Sequence, residues 1–236
     1  MRLEAQQIEK WYFRSKGESN RFFAVNRTDL VLEPGTVTVL SGRSGSGKTT
    51  LMNMMSGLLR PDGGTIKADG NDLYAMNDDE LSRFRNRCFG TIPQSSGVLY
   101  TLTVMENILI AHGIYRGRRD NKAVGNGADP EKLQAESLRL MEAMGIADLA
   151  GVYPRELSGG ELRRLSAVRA LAGHPEVIFA DEPTSDLDDE NMNIVLKLLR
   201  EEADNGASVF IVTHDAEALE IADTALTMNA GTLVRQ

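Results

Sequence analysis

The spacing of apolar positions divides the chain into segments of different kinds. Ile8, Lys10 and Tyr12 fall on one face of an alternating run and Phe23 to Leu32 forms a second run, which predicts two antiparallel strands near the start. Thr36 to Leu40 reads as a buried strand, and Val177 to Ala180 and Ser208 to Val212 are compact and continuously apolar, as central parallel strands covered on both faces are. Helical spacing marks Leu51, Met55, Leu58 and Leu59 after the third strand. It also marks Met192, Val195, Leu196 and Leu199, at i, i+3, i+4 and i+7, between the last two strands. Arg60 to Gly64 reads as a turn, Thr65 to Ala68 as a short strand and Asp79 to Arg87 as a polar helix. Helical periodicity then dominates from about Thr103 to Ala172, broken by a Gly- and charge-rich stretch from Gly113 to Pro130. A further helix is expected after Val212, as after Ala180.

These elements describe an α/β core of strand–helix units, preceded by an N-terminal antiparallel β layer and interrupted by an inserted helical subdomain. The expected division is a single domain over 1–236, with residues 1–94 and 173–236 forming the core and residues 95–172 the helical part. At 236 residues the chain suffices for one sizeable core but not for two such domains.

Composition removes several classes of function. A net charge of -8 argues against a nucleic-acid binder, because phosphate contacts are made by clustered Lys and Arg. The richest basic cluster, Arg116, Arg118 and Arg119, sits among glycines and reads as a solvated loop. The single cysteine, Cys88, lies in an apolar run and reads as a structural thiol in a reducing compartment. No stretch approaches the ~20 apolar residues that cross a bilayer, and the N-terminus lacks an apolar signal core, so work at a membrane would require another chain to span it.

The chemistry begins after the third strand with Gly42-Arg43-Ser44-Gly45-Ser46-Gly47-Lys48-Thr49, followed by Thr50, in the spacing G-x-x-x-x-G-K-[ST]. Glycines let the backbone curl and turn successive N–H groups toward one point, making a nest for a β-phosphate at a helix N-terminus. Lys48 adds a mobile charge for the β- and γ-phosphates, and the Thr49 hydroxyl is placed to ligate Mg²⁺. The core is therefore that of a P-loop NTPase. Asp181 and Glu182 close the Val177–Ala180 strand with two carboxylates, one suited to the Mg²⁺ shell and one to polarising a water for in-line attack.

Leu157-Ser158-Gly159-Gly160-Glu161 resembles the Leu-Ser-Gly-Gly-Gln signature of the ATP-binding cassette (ABC) ATPases, and the resemblance covers nearly the whole chain. Ser158 with the N–H groups of Gly159 and Gly160 would open a second phosphate-binding helix. Gln94, read as ending a strand Cys88-Phe-Gly-Thr-Ile-Pro-Gln94, resembles the glutamine that reaches metal and water in a loop touching the transporter. His214 resembles the switch histidine at the γ-phosphate, Asp188 the aspartate that communicates across the dimer, and Tyr12 the aromatic that stacks on adenine.

The resemblance implies the ABC ATPase fold, ATP and Mg²⁺ as ligands, and Thr49, Gln94 and Asp181 around the metal. It also implies hydrolysis by Glu182, His214 and Gln94 in a head-to-tail dimer with a second copy or a paralogue, where Ser158 to Glu161 act on the other chain's ATP. A separate transmembrane permease, a cytoplasmic location on the inner face of the membrane and no nucleic-acid partner follow. Gly42 to Asn53, Leu81 to Arg85 and Leu102 to Asn107 look most like the lipoprotein-releasing, macrolide-export and antimicrobial-peptide-resistance subfamily. An ABC ATPase acting as a soluble cell-division or assembly factor is the alternative; a non-hydrolytic sensor is disfavoured by the presence of both Glu182 and His214. The chain departs from the family pattern at Glu161, in place of glutamine, at Asp186, where a small residue is usual, and over Arg119 to Asp129, which lengthens the helical region.

Overall fold

A computed structural model of the chain describes residues 1–13, 21–113 and 130–235. The Arg116–Arg119 cluster, the 119–129 extension and the loop holding Lys16, Gly17 and Asn20 lie outside the described residues.

Two sheets form the frame. The smaller is antiparallel: β1 (Leu3–Phe13), β2 (Arg21–Leu32), β4 (Gly63–Ala68) and β5 (Asn71–Asp72), in the order β2-β1-β4-β5. The larger contains β3 (Val37–Ser41), β6 (Phe89–Ile92), β7 (Val177–Asp181), β8 (Ser208–Val212), β9 (Thr224–Asn229) and β10 (Thr232–Arg235), in the order β10-β9-β3-β8-β7-β6. Within it β9, β3, β8, β7 and β6 run parallel and only β10 pairs antiparallel. The helices are α1 (Lys48–Met55), α2 (Asp78–Cys88), α3 (Val104–Gly113), α4 (Pro130–Ala143), α5 (Gly159–Leu171) and α6 (Asp189–Asp204).

The apolar strands segregate their side chains by face, as the two-residue period of a strand requires. Val37, Val39, Ile178, Ala180, Val209 and Ile211 join one cluster with Ile108 of α3, Leu140 of α4, Leu165 and Val168 of α5 and Val195 and Leu199 of α6. Leu40, Val177, Phe179, Phe210 and Val212 join another with Leu51, Met54 and Met55 of α1 and with Leu3, Ala5 and Ile8 of β1. Every residue of β7 and β8 is buried, which accounts for their continuous apolar character. Side-chain caps fix where the helices start. Asn77 and Glu80 form a reciprocal capping box on α2, Ser158 and Glu161 do so on α5, and Asp188 caps α6. The segment between β6 and α3 is fastened by the buried Asn107, whose Oδ1 accepts from Leu99 N at 2.7 Å and whose Nδ2 reaches the Leu102 and Thr103 carbonyls at 3.0 and 2.9 Å.

Four sequence expectations need correction. No long helix follows β8; a 3-10 turn over Glu217–Ile221, with Ala218 buried and Leu219 and Ile221 packed against the core, leads into the β9–β10 hairpin. Helix α1 stops at Met55, and Leu58 is 57% exposed rather than part of its apolar face. The β6 strand ends at Ile92 with Cys88 closing α2, so Gln94 stands two residues past the strand. Of Ile8, Lys10 and Tyr12 only Ile8 is in the core, since β1 shifts register on both sides of Ile8 and Gln7 takes a φ of 50°.

The larger sheet is centred on an edge-to-face aromatic run, with Phe179 5.2 Å from Phe89 and 6.5 Å from Phe210 between ring centroids. Phe179 is fully buried. Phe179→Ala is expected to lower stability by about 3–5 kcal/mol, read as a drop in the denaturant midpoint by circular dichroism.

Candidate nucleotide-binding site

Four neighbouring parallel strands end on the same edge of the larger sheet, and each delivers one part of the site. The loop of residues 42–47 follows β3, Thr213 and His214 follow β8, Asp181 and Glu182 close β7, and Pro93 and Gln94 follow β6. This is the edge at which open α/β sheets place their ligands. Here it bounds a cleft of about 930 Å³.

The loop of residues 42–47 runs into the N-terminus of α1. Gly47 has a φ of +108°, and a Cβ there would sit 2.0 Å from the Ala24 carbonyl oxygen, so no side chain fits. The Lys48 ammonium is nearly buried and donates to the carbonyls of Gly42 and Arg43 at 2.7 and 3.3 Å. Ser46 Oγ is a buried hydroxyl without a hydrogen-bond partner among the described residues. Backbone N–H groups at a helix N-terminus, a lysine and an unsatisfied hydroxyl form a polar cradle for phosphate.

Thr49 Oγ1 donates to Asp181 Oδ2 at 3.0 Å. Burial pushes the Asp181 carboxyl up, while the Thr49 hydrogen bond and the Lys48 and Arg163 charges hold it down. A hydroxyl and a carboxylate facing a polar cleft are hard oxygen donors and fit Mg²⁺, which is commonly held by one or two protein oxygens together with substrate phosphate. No cluster of three or more His, Cys, Asp or Glu able to hold a metal alone occurs among the described residues.

Glu182 occupies a left-handed backbone conformation with φ of 50°, its N–H bonded to the Val212 carbonyl at 2.7 Å. Its Oε2 accepts from Thr213 Oγ1 and meets His214 Nδ1, both at 3.0 Å. The hydrogen bond and negative charge of Glu182 raise the His214 pKa above the ordinary imidazole value, with Asp215 adding to the effect. A carboxylate oriented by two donors and open to the cleft is equipped to accept a proton from water.

Every site residue expected on this chain's own face lines the one cleft: Tyr12, residues 42–50, Gln94, Asp181, Glu182 and His214. Of three adjoining aromatics the cleft takes only Tyr12, 40% exposed and 6.1 Å from the Phe22 ring. Trp11 is engaged elsewhere, under the Arg21 guanidinium at 4.0 Å and against Phe13. Ser158, Gly159, Gly160, Glu161 and Asp188 do not line the cleft. Ser158 and Gly159 are exposed at the start of α5, and Asp188 accepts from Asn191 N at 2.8 Å as the cap of α6.

Sequence reasoning missed Phe22, Phe23 and Ala24 and the Ala230–Gly231 turn, which also line the cleft. The turn residues have φ of 45° and 81°, as a tight hairpin requires, and Gly231 N donates to the Ser46 carbonyl at 2.9 Å. The β9–β10 hairpin thereby braces the phosphate loop. Asn229-Ala230-Gly231 between two alternating runs was the available signal.

A family model described as ABC transporter matches residues 25–185. The lipoprotein-releasing system ATP-binding protein LolD of Bdellovibrio bacteriovorus is 36% identical over 214 residues, covering 90% of this chain and 91% of that protein. The macrolide export ATP-binding/permease protein MacB of Marinobacter nauticus is 34% identical over 94% of this chain, which spans only 33% of MacB. The bacterial ABC transporter cassette MJ0796 in its dimeric structure superposes with a TM-score of 0.86 at 26% identity, over 99% of this chain and 97% of that one. A dimeric post-hydrolysis state of the same cassette, bound to ADP and Pi, gives a TM-score of 0.85 at 27% identity. By the family match over more than half of its length and by these relatives, this chain belongs to the ABC transporter family as one of its ATP-hydrolysing subunits.

Proposed function

We propose that two copies of this chain, or this chain and a paralogue, close head to tail on two ATP molecules and drive a transmembrane permease from the inner face of the membrane. The observation that carries this reading is a division of labour. One cleft gathers Tyr12, the 42–50 loop, Gln94, Asp181, Glu182 and His214, while Ser158 to Glu161 and Asp188 stay outside it, at the exposed starts of α5 and α6. A phosphate-binding helix terminus that serves no site on its own chain is free to serve a neighbour's. Among the described residues no helix is long and apolar enough to cross a membrane, which fits a spanning partner.

Within this reading Tyr12 stacks on the adenine, and the backbone of residues 42–47 with Lys48, Thr49 and Thr50 holds the phosphates. Thr49, Asp181 and Gln94 are the oxygen donors for Mg²⁺, which supplies charge neutralisation on the triphosphate. Glu182 takes a proton from the water that attacks the γ-phosphorus, and His214 fixes the Glu182 carboxylate and faces the γ-phosphate. Residues 95–172 act as the helical subdomain carrying Ser158 to Glu161 to the partner's nucleotide. Asp188 meets the partner across the dimer, and the Gln94 loop meets the permease.

Three measurements test these roles. Lys48→Ala is expected to weaken ATP binding by tenfold or more, about 1.4 kcal/mol, in calorimetry; unchanged affinity would remove Lys48 from the cradle. Glu182→Gln is expected to cut turnover by about 10²–10⁴-fold, the worth of a general base, while ATP with Mg²⁺ shifts the protein to a dimer by light scattering. Isolation of that variant from solubilised membranes should bring down a polytopic chain; a soluble partner alone would contradict the transport role.

A further test concerns pH. Because Glu182 raises the His214 pKa, imidazole resonances should titrate above the ordinary histidine value and return toward it in Glu182→Gln. A raised folded pKa adds stability that is fully present below the unfolded pKa and is lost as pH rises through the folded one. The Glu182–His214 contact should therefore tighten the nucleotide-free protein toward acid pH and loosen toward alkaline pH.

A further inference from the structure

Arg163 lies two residues past the signature segment, on α5, and its side chain turns inward. The residue is 7% exposed. One terminal nitrogen donates to the Pro93 carbonyl at 2.8 Å and the other to the Gln94 carbonyl, also at 2.8 Å. The second nitrogen also donates to Ser185 Oγ. That hydroxyl in turn donates to the Glu182 carbonyl at 3.0 Å, where Ser185 N–H also bonds at 3.2 Å. A serine hydroxyl has one proton and two lone pairs, so it can receive from Arg163 while giving to Glu182. The result is an unbroken hydrogen-bonded line from the Gln94 backbone through Arg163 and Ser185 to the Glu182 backbone.

We propose that Arg163 is a positioning residue for hydrolysis, holding the Gln94 loop and the Glu182 turn at a fixed spacing on either side of the reacting water. The inference rests on the assignment of Gln94 and Glu182 to that water. Three features support it. Glu182 is in a strained backbone conformation, which neighbouring bonds must hold in place. Gln94 is exposed and stands past the end of β6, so its sheet pairing does not fix it. A guanidinium is the side chain whose planar fork can reach two carbonyls and a hydroxyl together, whereas a lysine is a point donor. Burial pulls the Arg163 pKa down, and the negative charges of Asp186, Asp181 and Glu182 counter that in part.

The test compares Arg163→Gln, Arg163→Lys, Ser185→Ala and the Arg163→Lys/Ser185→Ala double variant in the full chain. Thermal melting, ATP affinity by calorimetry in EDTA, and steady-state kcat with Mg²⁺ are measured for each. Displacement of reacting groups by ~1 Å costs about 100-fold in rate, so kcat should fall about 10- to 100-fold in both Arg163 variants, with ATP affinity within about twofold of the parent. Ser185→Ala should lose kcat in the same direction, and the double variant should fall no further than Arg163→Lys, as residues in one line are coupled.

Parental kcat in folded Arg163→Lys and Ser185→Ala, strictly additive losses, or a loss confined to ATP affinity would each overturn the proposal. Should Arg163→Gln fail to fold, the Lys and Ser185 variants decide the matter. Glu182→Gln is measured alongside: retained turnover there would overturn the role of Glu182 itself. Lost turnover there with unaffected Arg163 and Ser185 variants would sink the relay alone.

Discussion

The bond from Glu182 N–H to the Val212 carbonyl holds the site together. A residue with a side chain pays about 1–3 kcal/mol to sit in a left-handed conformation, and Glu182 does so at a φ of 50°. The bond at 2.7 Å extends the β7–β8 ladder one step past its last strand pair, Asp181 with Val212. The turn it enforces aims the Glu182 carboxylate at Thr213 and His214, which follow β8, and leaves Asp181 facing Thr49 at the start of α1. Without paired strands of equal length, the acid pair and its partners would not meet.

That dependence explains why the core and the chemistry cannot be separated. Residues 177–181 and 208–212 are wholly buried, and the first exposed polar groups come where the strands stop. Desolvation at this boundary pushes Asp181 up, and the neighbouring cations and Thr49 hydroxyl counter it. The same boundary places the phosphate loop after β3, where the 230–231 turn ties Ser46 from the other side. Stability in this sheet and readiness at its edge therefore arise from one set of strand registers.

Much of this was legible in the sequence. The glycine spacing before Lys48, the acid pair after a continuous apolar run and the capping pattern at Ser158 each state a local backbone geometry, and local geometry is what sequence patterns report. Elements defined by distant contacts were harder to read. The β9–β10 hairpin owes its place to β3 and to Ser46, about 180 residues earlier, and the run before it looked compatible with a helix. Phe22 and Ala24 enter the cleft because β2 pairs with β1 through shifted registers, which no short pattern announces. The inward course of Arg163 was likewise hidden, since arginine on a helix next to polar residues ordinarily reads as solvent-facing.

The two described departures from the family pattern are absorbed within the chain. Glu161 accepts from Ser158 N at 2.7 Å and from Ser158 Oγ at 2.8 Å, completing a capping box that holds its carboxyl below the usual range. A glutamine there could also accept, yet it would bring no charge to a helix N-terminus whose dipole favours an anion. Glu161 thus stabilises the start of α5, and in the proposed dimer its negative charge would stand beside the partner's phosphates, setting local folding against ATP capture at one residue. Asp186, at a φ of 65°, contributes negative charge that helps keep the Arg163 guanidinium buried. A carboxylate in place of a small residue therefore adds to the negative charge that Asp181 and Glu182 also present to the guanidinium turned into the protein.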